Sequence, residues 1–166
     1  NAHVAHPAAG AAAGRSAAGV PVAGAGGWRD SSPPAFTGRV RTGADCSSGT
    51  CKPHQTSDTC THGTHVAGTV GSTSYGVASK ASILPVRVLG KCGGYDSDIV
   101  AGMLWAAGLA VPGVPNNANP ARVINMSLGC RGACSQPYID ALPLITAHGT
   151  VVVASAAISA GHASRP

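Results

Sequence analysis

The sequence predicts an α/β fold with a central parallel sheet. Strand-like and helix-like segments alternate through its second half, an order typical of right-handed βαβ units. The 166 residues are enough for one domain with a real core. Because 44% of them are hydrophobic but only 4% aromatic, we expect Ala, Val, Ile and Leu to fill that core. We divide the chain into an Ala/Gly-rich N-terminal segment, residues 1–19, and one domain over residues 20–166.

The first half of the domain offers few regular elements. Residues 20–52 are rich in Gly, Pro and Ser, which predicts loops with one or two short strands. Residues 46–51 begin and end with cysteine and enclose a tight surface loop. Residues 61–70 then predict a buried helix, since Val66 and Val70 lie four positions apart.

The next segments predict a strand followed by a helix. Residues 82–89 favour a strand, in which Pro85 suits an edge or an irregular position because proline has no amide hydrogen to donate. Asp96 and Ser97 are good capping residues for the helix that follows. That helix carries an apolar stripe at helical spacing, which consists of Ile99, Val100, Met103, Leu104 and Ala107.

The remaining elements complete the alternation. Residues 122–128 predict a strand, and residues 136–148 a helix that Pro143 interrupts and Gly149 ends. Residues 150–154 form a continuous apolar run, typical of a strand buried on both faces.

Composition argues against several classes of partner. The net charge is +5, but the basic residues are scattered and not interleaved with aromatics, so we expect no nucleic-acid partner. No apolar stretch is long enough to cross a bilayer, so we expect no membrane partner. Residues 1–19 lack the architecture of a signal peptide, which we take to be absent or already removed. The six cysteines form no CxxC pair, which favours disulfides and an extracellular location over structural zinc.

The most informative segment is Thr61–Val70, which reads THGTHVAGTV. It places His62 on the first turn of the predicted helix, held by a rigid element while its ring stays exposed. Gly63 and Gly68 are expected to let the helix lie close to neighbouring backbone. A histidine mounted in this way can serve as a general base.

This segment resembles the histidine motif of the subtilisin-like serine proteases, whose first HGTH histidine is the catalytic base. Further matches follow in order along the chain, at residues 75–78, 84–89, 98–103, 123–129 and 151–154. The resemblance is strongest to the proteinase K-like and bacterial secreted alkaline branch. It implies a three-layer subtilisin-like fold, here incomplete, and a secreted serine endopeptidase that acts through an acyl-enzyme with His62 as general base.

The resemblance also implies the substrate site, the partners and the disulfides. An extended peptide would bind as an added strand between two walls, one formed by Gly93, Gly94 and Tyr95 after Cys92, the other by Ser127, Leu128 and Gly129. Polypeptide substrates or peptide inhibitors are the expected partners, and a monomer is expected. Chemistry needs no cofactor, and structural calcium is implied by the family alone. The implied disulfides are Cys60–Cys92, Cys130–Cys134 and Cys46–Cys51.

Three catalytic groups of the family have no match here. The family's aspartate falls on Gly24 or Gly26, depending on the alignment, and we do not assign the role to nearby Asp30. Ala157 stands where the family has its oxyanion asparagine, and no serine lies in a nucleophile turn before Pro166. A truncated or autolysed protease, an incompletely determined sequence and an inactive relative each explain this pattern. Since the departures cluster at both ends, the first two are favoured.

Other functions were weighed against a protease of this family. Cys60, His62 and His65, with His54 upstream, could hold zinc, but no fourth ligand is evident and His65 fits a structural role. Residues 158–163 faintly resemble the histidine turn of chymotrypsin-like proteases, whose all-β fold disagrees with the predicted helices. A binding or inhibitory module that uses the same cleft without chemistry is the third alternative.

Overall fold

The computed structural model describes residues 21–26 by their backbone, and residues 34–53, 62–90, 93–129 and 133–155 in full. In the described part, no helix has the length and apolar character to cross a membrane. The regular elements are β1 (Pro21–Gly26), a 3-10 turn (Pro34–Phe36), β2 (Ala44–Asp45), β3 (Lys52–Pro53), α1 (His62–Gly71), β4 (Ser82–Arg87), α2 (Asp96–Ala106), β5 (Val123–Met126), α3 (Gln136–Ala147) and β6 (Val151–Ala154).

The strands form one sheet in the order β3-β2-β4-β1-β5-β6. Every neighbouring pair is parallel except β2 with β3, which are antiparallel. Helices connect the parallel strands, as in βαβ units. The predicted α/β fold with a parallel sheet is therefore confirmed.

The sheet has a core on each face, because alternate residues of a strand point to opposite sides. Leu84 and Ile124 belong to the larger core, which α2 and α3 cover. Ile83 belongs to the smaller core, together with Phe36 and Ala67 of α1. The molecule thus has three layers, with α1 on one face of the sheet and α2 and α3 on the other.

The start of α2 differs from the prediction. Tyr95 is the residue that precedes the first turn, and no side chain caps this helix. Asp96 already lies within the helix, where its carboxylate accepts hydrogen bonds from Ser135 and Tyr138 of the α3 region. The expectation that Asp96 and Ser97 cap α2 was therefore wrong, because a partner distant in sequence occupies the Asp96 carboxylate.

One of the two glycines expected to allow close packing of α1, Gly68, is not used in that way. A Cβ added at Gly68 of α1 would meet nothing within 4 Å, so this glycine is not needed for packing. At Gly102 of α2 an added Cβ would overlap Cγ1 of Val88 and lie 3.2 Å from Cγ1 of Val86. Close approach of α2 to the sheet therefore depends on Gly102.

Pro85 lies in an interior strand, since β4 pairs with β1 on one side and β2 on the other. This corrects the expected edge position, whereas the irregular position fits. On the β2 side, Ile83 exchanges hydrogen bonds with residues 39 and 41, and Arg87 accepts one from the Cys46 amide. Residues 41–43 between them belong to no strand, and Gly43 packs against Pro85. The neighbouring chain is thus irregular where the proline has no amide hydrogen to offer.

The last described strand is more exposed than predicted. Val151 and Val153 are 59% and 45% exposed, although the apolar run favoured burial on both faces. Among the described strands β6 pairs with β5 alone and forms an edge of the sheet. α1 packs against β1 and β4, so it leaves the Val151 and Val153 face of β6 uncovered.

Candidate functional site

His62 opens α1, and its side chain is exposed. At the other end of the helix, Gly71 packs against Ile83, near the beginning of β4; a Cβ at Gly71 would lie 2.9 Å from Ile83 Cδ1. A helix of ten residues rises about 15 Å. His62 therefore lies toward the carboxyl ends of β1 and β4, the edge at which open parallel sheets bind their ligands.

The register of the sheet brings the predicted substrate-binding segments to that same edge. Gly26 pairs with Arg87, and Met126 pairs with Ala154, so four strands end at a similar level. The segment 93–95 follows β4, and the segment 127–129 follows β5 directly. The exposed histidine and both predicted walls thus share one end of the sheet.

One side of the segment 127–129 is tied to the end of β6. The carbonyl oxygen of Met126 accepts a hydrogen bond from the Ser155 amide at 3.1 Å, and that of Leu128 accepts one from Ser155 Oγ at 2.9 Å. Carbonyls two residues apart point the same way in an extended chain. The main-chain groups of Ser127 and Gly129 are therefore directed to the opposite side. On that opposite side, β1 pairs with β5 only as far as Met126, and no described strand pairs with residues 127–129.

The segment 93–95 has a backbone that requires glycine. The Gly90 amide donates to the Gly93 carbonyl at 2.7 Å, and Gly93 has a φ of +118°. A Cβ at Gly94 would lie 2.5 Å from the Val88 carbonyl oxygen, so this glycine is required by the segment's own packing. Tyr95, which follows, is 79% exposed.

Of the three implied disulfides, one is present among the described residues. Cys46 and Cys51 form a disulfide of S–S length 2.06 Å, which confirms that bond. Cys134 carries a free, exposed thiol, so the predicted Cys130–Cys134 bond is not formed in the structure. Cys60, Cys92 and Cys130 lie outside the described residues.

The part of the chain that the structure describes holds no cluster of the side chains that most often bind metals. It contains no group of three His, Cys, Asp or Glu side chains that could hold a metal ion. Two acidic side chains toward the carboxyl edge have protein partners: Asp45 pairs with Arg87 at 2.8 Å, and Asp98 accepts from the Gly49 amide at 3.4 Å. His54, which belonged to the predicted zinc alternative, lies outside the described residues.

The expected place of the catalytic carboxylate is described only in part. β1 reads PVAGAG and contains no acid, and it lies in the middle of the sheet between β4 and β5. Gly24 and Gly26, the two residues with which the family's aspartate can be aligned, are both in this strand. Asp30, Ala157 and residues 158–163 lie outside the described part of the chain.

Sequence reasoning missed two contacts at this end of the sheet. Ser155 holds the Leu128 carbonyl across 27 positions of sequence, and Ser135 holds Asp96 across 39. Both serines follow apolar or turn segments in which a hydroxyl carries no positional signal. The contacts arise from tertiary packing that no local pattern encodes.

Comparison with known proteins gives a consistent result. The family model described as "Subtilase family" matches residues 36–159. The chain is 50% identical over 110 residues to an "Extracellular basic protease" of Dichelobacter nodosus, covering 63% of this chain and 18% of that protein. It is 43% identical over 122 residues to an "Extracellular serine proteinase" of Thermus sp. (strain Rt41A), covering 72% of this chain and 27% of that protein.

Solved structures show the same similarity. A protease of Pseudoalteromonas arctica superimposes with a TM-score of 0.74 at 36% identity, over 84% of this chain and 50% of that one. A cold adapted subtilisin-like serine proteinase gives a TM-score of 0.66 at 33% identity, over 82% and 46%. The chain spans about half the length of these solved chains and less than a third of the two named relatives.

Proposed function

Since the chain belongs to the subtilase family, we propose that it acts as a secreted serine endopeptidase that hydrolyses peptide bonds in proteins through an acyl-enzyme. The observation that carries the proposal is the position of His62, exposed on the first turn of a rigid helix at the carboxyl edge of the sheet. Relatives of this chain are named extracellular proteases, which supports secretion.

In the proposed reaction His62 transfers one proton in each of two steps. It accepts the proton of the nucleophilic serine hydroxyl as the serine oxygen bonds to the scissile carbonyl carbon, and it gives that proton to the leaving amine. In the second step His62 takes a proton from water as the water oxygen bonds to the acyl carbon, and it gives that proton to the serine oxygen as the ester bond breaks and the acid is released. The serine, the carboxylate that orients the histidine and the oxyanion donor are not assigned to residues of this chain.

The peptide would bind along the free side of residues 127–129. Ser155 occupies the other side of this segment through the Met126 and Leu128 carbonyls. The main-chain groups of Ser127 and Gly129 are thus directed to where an extended peptide can add as a strand. Gly93, Gly94 and Tyr95 would line the opposite wall, with no side chain at Gly93 to obstruct the backbone of the peptide.

Replacement of the histidine tests this proposal. We expect His62→Ala to lower kcat/KM on a chromogenic peptide amide by at least about 10²-fold, the low end for loss of a general base. His65→Ala is the matched control, because His65 is also exposed on α1 and we assign it no role in the reaction. Equal rates for the two variants would contradict the assignment of His62.

A second function is favoured by the sequence of β1. Because Pro21–Gly26 carries no acid at either aligned position, a relative that binds peptides without cleaving them is the alternative. It would use the same two walls, since main-chain hydrogen bonding does not require the catalytic groups. Peptide binding without hydrolysis by the natural protein would favour this alternative.

A further inference from the structure

Two residues that commonly cap helices bond to each other in this protein. Ser135 precedes α3 with an extended backbone, but its side chain makes no capping hydrogen bond. Ser135 Oγ instead donates to Asp96 Oδ2 of α2 at 2.7 Å. The hydroxyl of Tyr138, on the first turn of α3, donates to Asp96 Oδ1 at 3.3 Å.

The sequence explains why the Ser135 hydroxyl is available. A capping serine accepts a hydrogen bond from the amide of the second or third helical residue. The second helical residue of α3 is Pro137, which has no amide hydrogen. The amide of the third, Tyr138, already donates to the Ser135 carbonyl at 3.1 Å. The Ser135 hydroxyl can therefore form a hydrogen bond between two helices without giving up a capping hydrogen bond in α3.

The position of this contact gives it a consequence for the cleft. Asp96 directly follows Gly93–Tyr95, one proposed wall. Ser135 lies six positions after Gly129, the last residue of the other proposed wall. The contact thus joins the helix after one wall to the helix after the other, and both oxygens of one carboxylate take part.

We infer that Asp96 is a positioning residue that fixes the separation of the two substrate-binding walls through Ser135 and Tyr138. This inference rests on the proposed function, because it concerns the same cleft. The carboxylate also lies at the amino ends of both helices, where a negative charge is stabilised by the helix dipoles. Ionised acceptors form stronger hydrogen bonds than neutral ones. An aspartate therefore holds the two helices together better than an asparagine would.

The test measures binding and backbone exposure in the same set of variants. The variants are Asp96→Ala, Asp96→Asn and Ser135→Ala. Asp140→Asn is the control, since Asp140 is an exposed acid of α3 whose one hydrogen-bond partner among the described residues is Gln136 on its own helix. Binding of a non-cleavable tetrapeptide ketone is titrated first on the unaltered protein. Amide hydrogen exchange of residues 93–95 and 127–129 is then followed without peptide.

The expected result is a joint change at both walls. Asp96→Ala weakens peptide binding about tenfold, as expected for loss of a hydrogen-bonded charge, and speeds exchange at both segments. Asp96→Asn gives a smaller effect. Adding Ser135→Ala to Asp96→Ala weakens binding little further, because both changes remove the same hydrogen bond. Asp140→Asn leaves both measurements unchanged.

Two results would overturn the inference, and they can be told apart. If the unaltered protein does not bind the peptide, the proposed function fails and the cleft role fails with it. If it binds and Asp96→Ala retains the same affinity and the same exchange at both walls, only the positioning role fails. Should Asp96→Ala not fold, Asp96→Asn and Ser135→Ala carry the same comparison.

Discussion

Replacement of Gly102 by alanine offers the sharpest test of how α2 packs on the sheet. An alanine Cβ at this position would overlap Cγ1 of Val88 and would lie 3.2 Å from Val86 Cγ1 and 3.6 Å from Cys46 Sγ. Val88 is fully buried, and its β-branched side chain has little rotamer freedom with which to move away. Alanine gains about 1 kcal/mol of helix propensity over glycine. Overpacking of a core costs about 1–3 kcal/mol, so we expect a net loss of stability near 1 kcal/mol.

Gly68→Ala in α1 is the matched control, because it makes the same change in a helix where the Cβ would meet nothing within 4 Å. That variant keeps the gain of about 1 kcal/mol from helix propensity. The two variants should therefore differ by about 2 kcal/mol, or about 4–8 °C in Tm for a chain of this size. Urea and thermal unfolding followed by tryptophan fluorescence measure the difference. A Gly102→Ala variant as stable as Gly68→Ala would refute the packing argument.

Two further predictions concern stability. The buried Asn117 side chain donates to the carbonyls of Trp105 and Ala106 at the end of α2. Asn117→Ala should cost about 1–3 kcal/mol because two buried hydrogen bonds are lost, although the two carbonyls still accept from the Gly108 and Ala121 amides; an equal urea midpoint would contradict this. Reduction of the Cys46–Cys51 bond, which closes a loop of six residues, should cost about 2 kcal/mol. Thermal unfolding with and without a reductant measures this, and an unchanged Tm would count against it.

The positions of helices and strands could be predicted from the sequence better than the burial of each element. The helices at 61–70 and 136–148 and the strand at 82–89 were found where the sequence placed them, within a few residues. The apolar spacing, the apolar runs and the ending residues that predict such elements are local properties of the chain. The exposure of Val151 and Val153 was not predictable, since it depends on which layer covers β6 rather than on the composition of the strand.

In the candidate site, too, local features could be predicted and long-range contacts could not. The exposed position of His62 follows from a local pattern, THGTH at the start of a helix, and the structure describes it as expected. The partners of Asp96 did not follow, because capping propensity describes a residue's own helix and Ser135 is 39 positions away. Pro85 shows the same limit: a proline excludes a hydrogen bond but does not say whether the neighbouring strand is absent or only irregular there.

The most direct test of the proposed protease is an intact mass of the natural protein before and after reaction with a fluorophosphonate probe. The account predicts one added probe per molecule, and loss of labelling in His62→Ala, because the reactive serine needs a histidine to accept its proton. A mass equal to that of the 166 residues with no labelling would contradict catalysis and leave a peptide-binding relative.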